Sequence, residues 1–189
     1  MTLRLRIANL SIVLSLAIAS DASAQAPVTM TAPPPACEDS TLYRALDFWI
    51  GEWDVYVGNR IVGHNRIEKI LDGCAVMEHW SARGGEDGKS LFFVDYNGHW
   101  VQVWVTQWAR TPGGVKEKLM VTDPPEGTVR FQGVIRHPEA GEWLDRTTLT
   151  PNDDGSVHQL IEFSEDNGQT WNPTFDAIYR AVSEETGPN

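Results

Sequence analysis

The feature that most constrains the fold of this chain is a succession of short alternating segments, each ending in a turn signal. Apolar and polar residues alternate within the segments, which is typical of half-buried β-strands. Asn97-Gly98 is the strongest of the turn signals, because this dipeptide favours the tight turns that join antiparallel strands. The pattern predicts ten strands, at about residues 52–57, 60–71, 74–81, 90–96, 99–108, 115–122, 128–136, 142–150, 156–164 and 173–180.

The short links between these segments leave no room for a crossover helix, so each strand is expected to pair antiparallel with the next. We therefore predict an all-β, antiparallel up-and-down meander. Closure into a barrel would remove the exposed sheet edges, and an open β-sandwich is the alternative. Ahead of the first strand, residues 40–48 predict a short helical turn with Ser40 as its N-cap.

The first residues have the pattern of an export signal. Arg4 and Arg6 precede the apolar run 7–19, which has the length of a signal-peptide core and is shorter than the roughly 20 residues that span a bilayer. Ala22-Ser23-Ala24 fits a cleavage site, so we predict a signal peptide over residues 1–24. The mature chain is then expected in the periplasm or outside the cell.

Export gives a meaning to the two cysteines, Cys37 and Cys74. An oxidising compartment favours a disulfide between them, which would tie the start of the domain to the third strand, and two buried free thiols are the alternative. The proline-rich residues 25–36 predict a disordered linker. The barrel domain is expected over residues 37–183, with a tail over residues 184–189.

The charge balance argues against some partners. The chain carries 15 Lys and Arg against 26 Asp and Glu, a formal net charge of −11. Because phosphate binding needs clustered basic side chains, we expect no nucleic-acid partner. No second apolar run of spanning length follows the leader, so no membrane insertion is expected after cleavage. The five histidines contain neither His-X-His nor His-Glu-X-X-His, and we predict no metal and no cofactor.

A resemblance to a known family rests on several blocks of sequence. Phe48-Trp49-Ile50-Gly51-Glu52-Trp53-Asp54-Val55 is followed by Gly73-Cys74-Ala75 and Glu78-His79-Trp80, and the likeness continues to Tyr179-Arg180. These blocks resemble the lipocalin-like domains of secreted bacterial proteins, within the calycin superfamily. The resemblance implies a roughly ten-stranded barrel. It also implies that Gly51 and Trp53 open the first strand and that Arg180 lies over the Trp53 ring at the base of the barrel.

The segment Ser164-Glu165-Asp166-Asn167-Gly168-Gln169-Thr170-Trp171 fits the Asp-box pattern, similar to the repeated hairpins of sialidases. Physically it predicts a turn, in which the Asp166 carboxylate accepts backbone N–H groups, Gly168 takes a positive φ and Trp171 packs underneath. A sialidase would need several copies and a much longer chain. The single copy therefore favours a structural role.

Polar residues flanked by apolar ones on a strand are the candidate site residues, because alternate residues of a barrel strand face the lumen. We predict a tryptophan-lined cavity with a few polar anchors, the usual composition of a small-molecule site. The candidate ligand-binding residues are Glu78, Trp80, Tyr96, Trp100, Gln102, Trp104, Arg146 and Glu162. A satisfied interior pair of Arg146 with Glu162 or Glu78 is the alternative, and a one-residue slip in strand phase would exchange the two faces.

The predicted function is the binding of a small hydrophobic or aromatic molecule by an exported barrel. Three alternatives stay open. The first is an isomerase or hydrolase that uses the same cavity for general acid–base transfer, although no catalytic residue can be assigned. The second is a haem-binding barrel similar to nitrobindins, with His158 as axial ligand. The third is a structural or interaction module.

Overall fold

The computed structural model describes residues 37–111, 113–137 and 141–182, so the predicted leader, linker and tail lie outside the described residues. Ten strands follow one another in these ranges. Each boundary lies within two residues of the one expected from the alternation. The strands are β1 (Gly51–Val57), β2 (Arg60–Ile70), β3 (Ala75–Ala82), β4 (Gly88–Val94), β5 (Trp100–Thr106), β6 (Val115–Met120), β7 (Val129–His137), β8 (Gly141–Pro151), β9 (Val157–Ser164) and β10 (Asn172–Ala181).

The strands form a closed antiparallel barrel, in which each strand pairs with its neighbours in the chain and β1 pairs with β10. The closing register sets Asp54 opposite Arg180 and Val55 opposite Tyr179. Closure removes both sheet edges, which a ten-stranded open sheet would expose. The predicted meander barrel is confirmed, and the open sandwich is not adopted. In the part of the chain that the structure describes, no helix is long and apolar enough to cross a membrane.

One end of the barrel is covered by residues 37–50, and we call this the closed end. These residues form three 3-10 turns, at Cys37–Asp39, Thr41–Arg44 and Asp47–Trp49. The predicted helical turn is therefore present as 3-10 helix, although the Ser40 side chain makes no capping hydrogen bond. Within this covering segment the side chains of Leu46 and Trp49 are buried.

Hydrogen bonds and a disulfide fasten the covering segment to the barrel. The indole N–H of Trp53 donates to the Trp49 carbonyl at 3.0 Å, and that of Trp100 donates to the Leu42 carbonyl at 2.8 Å. The predicted Cys37–Cys74 disulfide is confirmed and joins the segment to the β2–β3 turn. Such a bridge stabilises the fold by limiting the unfolded chain.

Aromatic rings fill the half of the lumen next to the closed end. Trp49 makes edge contacts with Phe92 and Tyr179 at centroid distances of 5.7 and 6.0 Å, and Phe92 meets Phe131 at 5.4 Å. All four side chains are at most 1% exposed. This half of the barrel is a packed core and leaves no space for a ligand among these rings.

The expectation that Arg180 covers Trp53 is wrong. Trp53 is opposite Ala181 in the register and points inward, at 5% exposure. Arg180 is one residue away from that position, so strand alternation puts its side chain on the outer face. There its guanidinium lies 4.9 Å from the centre of the Tyr56 ring. Gly51 opens β1 with a φ of 148°, a region that L side chains rarely adopt.

The Asp-box segment forms the β9–β10 turn. The Asp166 carboxylate accepts the Thr170 backbone N–H at 2.8 Å, the Thr170 hydroxyl at 2.7 Å and the Ser164 hydroxyl at 2.8 Å. These hydrogen bonds lower the pKa of Asp166 to about 2. Gly168 has a φ of 87°, and its carbonyl accepts the Trp171 indole N–H at 3.1 Å. The segment therefore holds its own conformation as a turn.

Candidate ligand-binding cavity

The other half of the barrel, which we call the open half, encloses a cavity of about 430 Å³. This volume is within the range of small-molecule sites. Exposed residues at its rim, Glu86 after β3 and Thr111 after β5, place the mouth at the end opposite the covering segment. The lining consists of Val62, Glu78, Trp80, Ala82, Glu86, Gln102, Trp104, Thr106, Thr111, Gly113, Gly114, Lys116, Lys118, Thr147, Gln159, Ile161, Thr174, Phe175 and Tyr179.

Aromatic side chains form the wall of the cavity near its mouth. Trp80 meets Phe175 edge to face with ring centres 6.1 Å apart, and Trp104 lines the wall nearby. Two strand glycines make room for the indoles. A Cβ at Gly63 would lie 2.5 Å from the Trp80 ring, and one at Gly88 would lie 2.2 Å from the Trp104 ring. Each indole therefore lies directly against backbone, where any larger residue would displace it.

Polar side chains from eight strands lie on the closed-end side of the aromatic wall and form a belt across the lumen. We call these residues the polar belt. Several neighbours in it are joined by hydrogen bonds. The belt consists of Asn65, Glu78, Ser90, Gln102, Lys118, Asp145, Thr147, Gln159 and Tyr179.

Glu78 is the centre of one half of the belt. Its carboxyl oxygens accept the Asn65 amide N–H at 2.7 Å and the Ser90 hydroxyl at 2.5 Å, and Ser90 in turn accepts the Gln102 amide N–H at 3.1 Å. Burial raises the pKa of Glu78, because desolvation outweighs these hydrogen bonds. The Tyr179 hydroxyl donates to Gln159 Oε1 at 2.6 Å, and burial raises its pKa well above the ordinary value.

Lys118 and Asp145 belong to the other half of the belt. Lys116, which also lines the cavity, lies beside them on the side of the mouth. Lys118 donates to the Thr147 hydroxyl at 2.7 Å and is ion-paired with Asp145, whose second oxygen lies 2.8 Å from Lys116 Nζ. Burial lowers the pKa of Lys118 to about 8, a shift that Asp145 opposes and Lys116 reinforces.

Gly133 explains how lysines on β6 can reach an aspartate on β8, with β7 between them. Asp145 is directly opposite Gly133 in the register. A Cβ at Gly133 would lie 2.1 Å from the Glu117 carbonyl oxygen and 3.2 Å from Lys118 Cα. The glycine thus allows β6 and β7 to approach closely, and no side chain stands between Lys118 and Asp145.

Four of the sequence candidates lie together on the cavity wall, namely Glu78, Trp80, Gln102 and Trp104. Two others do not. Trp100 is 2% exposed and belongs to the packed core at the closed end. Tyr96 is fully exposed in the β4–β5 turn, so its assignment to the cavity is wrong. The strand ends earlier than expected because Asp95 Oδ1 accepts the backbone N–H groups of Asn97 and His99.

Arg146 and Glu162 form a pair, as the alternative interpretation had it, but on the outer face of the barrel. The Arg146 guanidinium donates to both Glu162 oxygens, at 2.6 and 3.1 Å, and lies 3.8 Å from the centre of the Trp171 ring. Their neighbours Thr147 and Ile161 line the cavity instead. Because side chains alternate along a strand, the cavity assignment of this pair is wrong by one residue.

His158 is also on the outer face, since its strand neighbours Val157 and Gln159 point inward. Its Nε2 lies 2.8 Å from Asp176 Oδ1 on the next strand. The interpretation of His158 as an axial haem ligand within the lumen is therefore wrong. No group of three or more potential metal ligands occurs within residues 37–111, 113–137 and 141–182.

The sequence interpretation missed Lys118, Thr147, Gln159 and Tyr179, all of which line the cavity. Lysine is rarely buried, so alternation alone does not assign Lys118 to a lumen. The available signal was Gly133 in the middle of a strand, since such a glycine often marks a close approach of another group. A comparison of the chain with models of known protein families and with curated proteins finds no match.

Proposed function

We propose that this protein binds a small, largely aromatic molecule in the open half of its barrel. The observation that carries the proposal is the composition of the cavity, with Trp80, Trp104 and Phe175 on the wall and the polar belt below. Apolar walls with a few fixed polar groups are the usual design of a ligand site. The neighbouring half of the same lumen is filled with side chains, so the space is specific to one end.

We further propose that the protein is exported to the periplasm or secreted, and that it belongs to the lipocalin-like domains it resembles in sequence. The leader pattern supports export, and the Cys37–Cys74 disulfide fits an oxidising environment. The closed ten-stranded meander is compatible with a lipocalin-like fold. Mass spectrometry of the protein from its own cells is expected to find a mature chain that begins at Gln25, and a retained leader would contradict export.

Calorimetric titration with indole, an uncharged aromatic probe, tests the binding proposal. We expect one site per chain and a loss of affinity of about tenfold or more for Trp104→Ala, because truncation of an aromatic anchor that the ligand covers removes at least about 1–2 kcal/mol of binding energy. Tyr96→Ala is the matched control, since that ring is fully exposed and its removal is expected to leave binding unchanged. Absence of Trp104-dependent binding by any aromatic probe, charged or neutral, would overturn the proposal.

A further inference from the structure

The polar belt is interrupted between Gln102 and Lys118, although these residues are directly opposite on β5 and β6. The Gln102 amide nitrogen is bound to Ser90, while Gln102 Oε1 is buried and accepts no hydrogen bond from any described residue. Two of the three N–H groups of the Lys118 ammonium have acceptors within the described ranges, Thr147 and Asp145. One acceptor and one donor therefore stand side by side at the cavity without a mutual hydrogen bond.

The charge of this part of the belt is also uncompensated. Lys116 and Lys118 both pair with Asp145, so two ammonium groups share a single carboxylate. Of the other acids that line the cavity, Glu86 is exposed at the rim. Glu78 forms no ion pair with either lysine, and its two oxygens already accept hydrogen bonds from Asn65 and Ser90. A buried excess of positive charge is costly unless a counter-ion joins it.

We infer that the ligand is an aromatic acid, whose anionic group lies against the Lys118 ammonium while an adjacent N–H or O–H of the ligand donates to Gln102 Oε1. The ring system then lies against Trp80 and Trp104. The inference rests on the proposed function and specifies the chemical class of its ligand. A neutral hydroxyl compound could complete the hydrogen bonds, but it would leave the excess charge in place.

Three ligands of one shape test the inference on the unaltered protein. Indole-2-carboxylate has the acid and the adjacent N–H, indole-2-carboxamide lacks the charge, and benzofuran-2-carboxylate lacks the N–H. A charge-assisted hydrogen bond corresponds to roughly 10–100-fold in affinity, so we expect the acid to bind tighter than the amide by that factor. We expect the benzofuran acid to bind several-fold more weakly than the indole acid. Equal or tighter binding of the amide would overturn the inference.

Two variants test whether the preference for the acid over the amide arises at Lys118. In Lys118→Met the ratio of affinities for acid and amide is expected to fall to about one, because one ammonium group, Lys116, then remains for the one carboxylate of Asp145. Lys89→Met is the matched control, since Lys89 is an exposed lysine on β4, and it is expected to keep the ratio. A ratio that survives Lys118→Met would contradict the assignment. Should that variant fail to fold, the ligand series and the pH profile of the unaltered protein decide.

The affinity for the acid is expected to depend on pH, because the Lys118 ammonium loses its proton as the pH rises. Burial lowers the pKa of Lys118 to about 8, and the ionisable groups around it are Lys116 on β6, Glu78 on β3, Asp145 on β8 and Tyr179 on β10. The ammonium is present below this pKa and is lost above it, so affinity for indole-2-carboxylate is expected to fall as the pH rises from 7 to 9.5. Affinity for the amide should stay level. A flat profile for the acid would contradict the inference.

The two proposals fail in different ways. If neither indole nor any of the three related ligands binds, the proposed function fails. If the neutral ligands bind in a Trp104-dependent manner and the acid gains nothing, only the inference about an aromatic acid fails.

Discussion

The two halves of this barrel use the same residue type for different purposes. In the closed half Trp49, Trp53 and Trp100 are at most 5% exposed, and two of their indole N–H groups donate to carbonyls of the covering segment. In the open half Trp80 and Trp104 are partly exposed and lie against the strand glycines Gly63 and Gly88. The tryptophan rings of the closed half fill the lumen, and those of the open half line the cavity.

The two halves also differ in the polar groups that they contain. The closed half is almost wholly apolar and is fastened by a disulfide, and the buried indole N–H of Trp49 is a polar atom there that finds no partner among the described residues. In the open half a buried and a half-buried lysine share one carboxylate, and the Gln102 side-chain oxygen accepts no hydrogen bond from any described residue. Features that cost stability tend to be kept where function needs them. We therefore expect stability to depend mainly on the closed half and ligand binding on the open half.

The largest expected effect is on stability, at Trp49. Trp49→Ala removes a side chain that is fully buried among aromatic rings, and such truncations cost about 3–5 kcal/mol of unfolding free energy. Trp104→Ala, in the partly open wall, is expected to cost only about 1 kcal/mol. Urea unfolding of both variants measures the difference. Equal losses would contradict the division between the two halves.

The next largest effect concerns the disulfide. Replacing both cysteines, Cys37→Ser with Cys74→Ser, is expected to lower the unfolding free energy by about 3–4 kcal/mol, because the bridge closes a long loop in the unfolded chain. Chain positions 37 residues apart are joined by this bond. Affinity for indole at a temperature where the variant is folded should be unchanged. A loss of affinity in the folded variant would show that the closed end also shapes the cavity.

The smallest effect is expected at the exposed β9–β10 turn. The pKa of Asp166 is lowered to about 2 by hydrogen bonds from Thr170 and Ser164, so its contribution to stability is complete above its unfolded pKa and is lost as the pH falls through about 2. Asp166→Asn should lower the melting temperature at pH 7, and the difference should shrink towards pH 2. The exposed Asp153→Asn is the control. A difference that is independent of pH would contradict the role of the carboxylate.

Local sequence patterns predict the strands well, because alternation and turn chemistry act over a few residues. They fail where a face or a partner is decided by the whole barrel. On β8, Leu144-Arg146-Thr148 and Asp145-Thr147-Leu149 both mix polar and apolar residues, so the phase cannot be read from periodicity. The expectation for Arg180 came from the family resemblance instead, and the register that sets Trp53 opposite Ala181 puts Arg180 on the other face of the strand.

The polar belt illustrates a second limit. Asn65 reaches Tyr179 across 114 positions of the chain, and Lys118 reaches Asp145 across β7. Such partners are brought together only by closure of the barrel and by the missing side chain at Gly133. Glu78 and Gln102 could be found from alternation on their own strands, whereas the lysine pair could not.

One measurement tests the division of the barrel most directly. In a proton–nitrogen correlation spectrum of nitrogen-15-labelled protein, the indole N–H signals, assigned by single Trp→Phe variants, report on both halves at once. On addition of unlabelled indole-2-carboxylate, we expect the Trp80 and Trp104 signals to shift and those of Trp49, Trp53 and Trp100 to stay in place. Shifts confined to the closed-half tryptophans, or no shift at millimolar ligand, would contradict the account.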